Sequence, residues 1–200
     1  MPSTKGDESE DFLEVIVFEY GTNSFRRDLA YPFLEDAVGS LVQEGPASTY
    51  EYPIKFAKDV ETRPTAMLGV NEAIIGISLF YRTPIGQWAF GRFCDEVWDE
   101  KIRPAMRKLF LRRKEEGTGE GALTLSFGAW FNTDRVFIQV IATLNKGEDA
   151  KGIDDLVPEA FRSALTWIEQ HGVQAPVLVY RIIDGNLSSY PTLAEIVPRV

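Results

Sequence analysis

Polar and apolar residues alternate most regularly between positions 122 and 144. In ALTLSFGAWFN, Leu123, Leu125, Phe127, Ala129 and Phe131 fall on one side, with Thr124, Ser126, Gly128, Trp130 and Asn132 on the other. After the polar stretch NTDR, the inward set resumes with Val136, Ile138, Val140, Ala142 and Leu144. Two period-two runs around four turn-forming residues predict an antiparallel hairpin. Its outer face carries Trp130 opposite a run containing Phe137 and Ile141, an aromatic patch if no helix covers it. The alternative is that a central helix packs there.

Other stretches carry weaker periods. FLEVIVFEY (12–20) is rich in β-branched and aromatic residues and predicts a strand. Both its sides are largely apolar, which suggests a place inside the sheet. Phe33, Leu34, Ala37, Val38 and Leu41 have helical spacing within 30–45, ended by Gly45-Pro46. Pro53 demotes STYEYPIKFAKD to an edge strand. DDLVPEAFRSALTWIEQHG predicts a helix with Pro158 in its first turn and Gly172 as its stop. PVLVYRII (176–183) predicts a strand, DGN a turn, and PTLAEIVPRV a short helix capped by Thr192.

The most apolar run is AIIGISLFYRTPIGQWAFGRFCDEVW (73–98). A spanning helix needs about 20 consecutive apolar residues, and Arg82-Thr83-Pro84 interrupt this run. Periodicity does not separate strand from helix in its first half; the cap-like Thr65 favours a helix beginning there. The second half opens a long helix from Gln87 to Glu115, whose acids (Asp95, Glu96, Asp99, Glu100) precede its bases. That order suits the helix dipole, and Pro104 should kink or split the helix.

The fold expected is therefore α+β: a mixed, mainly antiparallel sheet of about five strands with helices packed on it and a long charge-segregated central helix. Residues 1–11 are expected to be a disordered acidic tail and 12–200 a single domain, with a candidate hinge at 114–122, around GTGEG.

Charge changes the picture. The net charge is −9, from 21 basic and 30 acidic residues, and residues 101–114 hold seven of the bases and no acid. The remainder therefore carries 14 bases against 30 acids, a net of −16. Such a surface disfavours nucleic acid and anionic membrane as partners. The basic end of the central helix either stabilises its own helix or forms a docking patch of Arg107, Lys108, Arg112, Arg113 and Lys114 for an acidic protein surface, including another copy's.

Reactive groups are sparse. One cysteine, Cys94, excludes an internal disulfide, and the start of the chain lacks an apolar export signal, so a cytoplasmic location is expected. The one histidine, His171, sits in a last helical turn where a capping role suits it. Asp95/Asp99 and Glu96/Glu100 pair at spacing four without the histidines of di-metal helices. GTGEG leaves a helix and enters a strand, the wrong polarity for a phosphate loop. No catalytic residue, cofactor or metal site is assigned.

The leading expectation is a non-catalytic cytosolic interaction or regulatory protein whose partner is another protein, for example a basic toxin that it neutralises. Its expected contact residues are the five basic side chains with Trp130 and Phe137. Two rivals are an enzyme on a small-molecule substrate, with a site no linear motif reveals, and a subunit of a larger assembly using residues 73–98 as interface.

Overall fold

A computed structural model of the chain describes residues 12–20, 23–42, 54–55, 72–81, 85–86, 93–115, 121–145, 152–195 and 197–198. The strands are β1 (Phe12–Tyr20), β2 (Ile54–Lys55), β3 (Glu72–Tyr81), β4 (Ala122–Phe131), β5 (Val136–Leu144), β6 (Val177–Ile183), β7 (Asn186–Leu187), β8 (Thr192–Ala194) and β9 (Val197–Pro198). The helices are α1 (Tyr31–Val42), α2 (Arg103–Glu115) and α3 (Ile153–His171). Helical turns at Asn23–Phe25 and π-type turns at Arg26–Ala30 lead into α1; π-type turns at Phe93–Ile102 lead into α2.

The main sheet runs β1-β3-β4-β5-β6-β7, with β8 also on β6, while β2 and β9 form a separate pair. Pairings β1–β3, β4–β5, β6–β7 and β6–β8 are antiparallel; β3–β4 and β5–β6 are parallel. Each parallel pair follows from a helix that carries the chain back to the starting end, α2 between β3 and β4 and α3 between β5 and β6. The result is a mixed α+β fold. The predicted hairpin is present, with Leu123 opposite Leu144 and Phe131 opposite Val136.

Three expectations are corrected. The run 73–81 is a strand, since β3 finds a hydrogen-bonding partner on both sides and buries Ile75, Ile77 and Leu79 on one face; residues 65–71 lie outside the described residues. β1, expected inside, is the terminal strand of the described sheet. Apolar residues on both sides of a strand report covered faces, whereas edge position is a matter of backbone pairing that the side-chain pattern does not encode. The stretch around Thr192 is strand β8, held by pairing with Val177–Val179, rather than a capped helix.

The central helical segment is composite. Asp95, Glu96, Asp99 and Glu100 fall in the π-type turns and six of the seven bases in α2, the sign changing between Glu100 and Lys101. Pro104 stands inside a continuous helical run from Phe93 to Glu115, where it has no N–H to give to the preceding π-type turns. The expected start at Gln87 lies outside the described residues, as do residues 1–11 and most of the candidate hinge.

Helix residues and one sheet face make the principal core. Ile75, Ile77 and Leu79 from β3, with Leu125, Phe127, Val140 and Tyr180 from its neighbours, meet Phe33, Trp98, Met106, Leu109 and Phe161. Trp98 is fully buried and stands edge-on to Phe127, with centroids 5.0 Å apart at 85°. The described part of the apolar stretch 73–98 is thus largely spent within the monomer. Among the described residues no helix is long and apolar enough to cross a membrane.

Candidate interaction surface

α2 lies between α1 and the start of α3, and its bases are drawn to both. Lys108 Nζ and Arg112 Nη2 donate to the two oxygens of Asp36 on α1, at 3.0 and 3.4 Å. Arg107 donates from Nε and Nη2 to Asp154 Oδ2 on α3, at 3.2 and 3.1 Å. Arg113 Nη2 reaches the carbonyl oxygens of Gly121 and Asn145 at 3.0 and 3.3 Å. Lys114 is exposed at the helix end. Four of the five bases of the expected docking patch thus clamp α2 to neighbouring elements, while Arg107 and Lys108 stay more than half exposed. Pairs this accessible contribute about 0–1 kcal/mol each, so the clamp sets helix placement more than it adds stability.

Asp154 also serves through its backbone. α3 begins at Ile153, so Pro158 stands inside the helix instead of in its first turn. A residue at 158 would normally donate its N–H to the carbonyl of Asp154, four positions back, and proline has none. That carbonyl instead accepts from Trp98 Nε1–H at 3.0 Å and from Arg103 Nη2 at 3.3 Å. Arg103 further pairs with Asp99 at 3.2 Å and Asp155 at 3.4 Å.

The other sheet face holds Trp130 and Phe137. Phe137 is only 2% exposed, in a cluster with Ile141, Val177, Val179 and Ala194 against which Trp130 is half-buried. No described helix residue belongs to this cluster, so α2 does not cover Trp130; it packs on the opposite face. Phe137 leaves little of its ring accessible. Beside it Gln139, 3% exposed, donates Nε2–H to Ser126 Oγ at 2.9 Å, and its Oε1 has no hydrogen-bond partner.

A third aromatic group was not singled out by sequence reasoning. Trp167 and His171, four apart on α3, stack with centroids 4.0 Å apart at 23°. Tyr190, in the turn before β8, meets Trp167 edge-on at 5.9 Å and 70°. His171 Nδ1 lies 3.0 Å from the carbonyl oxygen of Trp167; since a carbonyl only accepts, Nδ1 carries the hydrogen. His171 thus satisfies a last-turn carbonyl, a capping role. The spacing of Trp167 and His171 was a legible signal; Tyr190 was not, because its approach depends on β8 returning to β6.

Trp98, four residues after Cys94, contacts Asp154 in the first turn of α3, and His171 closes its last turn about 25 Å away along the axis. No group of three or more metal-ligating side chains occurs among the described residues. Comparison with protein-family models, with curated proteins and with solved structures finds no match for this chain.

Proposed function

We propose that the protein is a non-catalytic interaction protein that recognises a basic protein partner through its acidic exterior, in the manner of a neutralising or regulatory subunit. The observation that carries this reading is the engagement of α2's bases with α1, α3 and the β4–β5 hairpin ends. Pairing leaves the net charge at −9 and engages much of the one concentrated positive block with neighbouring elements, although Arg107 and Lys108 stay more than half exposed. What is left to meet a partner is predominantly negative, and such a surface accelerates and selects encounters with a basic protein.

The test uses a cationic arginine-containing peptide and an acidic peptide of the same length, titrated calorimetrically into the full chain at low and high salt. The cationic peptide should bind saturably with a steep loss of affinity as salt rises, and the acidic one should not bind. Charge reversal at Arg112 and Arg113 should not weaken the cationic peptide, because these side chains face inward partners. Absence of saturable binding to the cationic peptide at low salt overturns the proposal.

A further inference from the structure

We infer that the outer edge of β1 receives an extended segment of the basic partner as an added strand. The inference rests on the acidic-surface reading above and names where, and in what conformation, the partner is held. β1 is the terminal strand of the described sheet: it pairs with β3 on one side, and no described strand lies on the other. The N–H and C=O groups that point away from β3 therefore have no strand partner among the described residues. Such a row is a template for another chain.

The two margins of the sheet are built differently. At the far margin the edge is divided between β7 and β8, of two and three residues, and Pro191 stands directly before β8. Short edge strands and proline are the usual protection against unwanted pairing. β1 has nine residues, with neither lysine nor proline. Its one irregularity, between Phe12 and Glu14, falls at the start and leaves residues 14–20 in unbroken register with residues 80 to 74 of β3. That stretch is about 20 Å long, and about three of its residues turn both N–H and C=O outward. FLEVIVFEY has the composition of an inner strand, and an added strand makes it one.

Charge selects the occupant. Residues 7–20 hold six acids and no base, the nearest bases in the sequence being Lys5 and Arg26. Glu14 and Glu19 belong to the paired part of β1, opposite Phe80 and Ile75. A strand added alongside brings its own side chains to about 5 Å from such positions, the spacing of cross-strand pairs. β3, the neighbour on the inner side, contributes Glu72 and no base. In the helical turns that follow β1, Arg27 Nε donates to Asp28 Oδ1 at 2.6 Å. A strand bearing lysine or arginine gains from this setting, whereas a second copy would bring the same carboxylates against each other.

The probe is the same cationic peptide, with arginine and valine alternating, beside a version N-methylated at every peptide bond, which keeps the charges and removes the N–H donors. Affinity is read by calorimetry, and hydrogen exchange of the β1 amides by nuclear magnetic resonance of the isotope-labelled full chain. The unmodified peptide should slow exchange at alternate amides within residues 14–20, and the N-methylated one should bind about tenfold more weakly or worse. Glu14→Gln combined with Glu19→Gln, its fold checked by circular dichroism, should weaken the unmodified peptide about two- to tenfold. Equal affinity of the two peptides, unchanged affinity in the double variant, or unchanged exchange in β1 overturns the added strand, while the acidic-surface reading stands. A dimer in sedimentation whose β1 amides are all protected without peptide assigns the edge to a second copy and likewise overturns it. Failure of the unmodified peptide to bind the wild-type chain overturns both readings.

Discussion

A Cβ atom at Gly128 would lie 2.3 Å from Cζ of Phe137 and 2.6 Å from Ser78 Oγ. Phe137 is itself enclosed, so neither ring nor backbone has room to yield, and a glycine mid-strand is the mark of such close approach. Gly128→Ala is expected to cost about 1–3 kcal/mol, read as a lowered denaturant midpoint with unchanged slope. A shift near zero would mean that the ring moves freely. Tyr180 gives a second residue-scale expectation. Burial, at 1% exposure, pushes its phenol up to about 12 from the ordinary 10. A raised folded value means that the unfolded chain loses this proton first. Stability from Tyr180 is therefore complete below pH 10 and falls as pH rises from 10 to 12. Ultraviolet titration should show a tyrosine ionising well above pH 10 that is missing from Tyr180→Phe, and that substitution should flatten the fall. At this scale the faces of the hairpin were legible from alternation, Trp130 and Phe137 included. The enclosure of Phe137 was not, because it depends on Val177, Val179 and Ala194 arriving from β6 and β8.

Between elements, the junction of α2's approach with α3 turns on a single missing hydrogen. Pro158 leaves the Asp154 carbonyl without its helical donor, and Trp98 Nε1–H replaces it. Trp98→Phe should cost about 1–3 kcal/mol by weakening satisfaction of a part-buried acceptor, together with some lost packing. In a Pro158→Ala background the cost should be smaller, since alanine at that position supplies the N–H that proline lacks. A double-mutant cycle measures the difference, and strictly additive effects would show that the indole does not stand in for the helix donor. The usual preference put Pro158 near a helix start, and that preference was overridden by an external donor 56 positions before Asp154. β3 was ambiguous for a related reason. An apolar run this short fits a buried helix or a buried strand equally well, and the pairing with β1 and β4 that decides between them is not written in the run itself.

For the whole molecule, class was readable and arrangement was not. Alternating runs mixed with helical spacing indicate α+β, and a hairpin excludes an all-parallel sheet; the place of β1 at the margin has no side-chain signature. Charge was readable as a total and misleading as a map. Asp36 and Asp154, far away in sequence, are folded against the bases of residues 101–114, a pairing that no linear pattern announces. A high-salt comparison should separate the two uses of charge: the folded chain should lose little stability, as accessible pairs are individually weak, while affinity for a cationic peptide drops steeply.

The strand order of the principal sheet follows the order of the chain: the first, third, fourth, fifth and sixth strands stand side by side in that sequence. No segment has to be threaded between two neighbours that are already joined. During synthesis the growing edge is always the most recently made strand, so the sheet can be laid down progressively while the remaining chain is still on the ribosome. Among the described pairings, that of Ile54–Lys55 with Val197–Pro198 joins the segments farthest apart in the chain and so forms late.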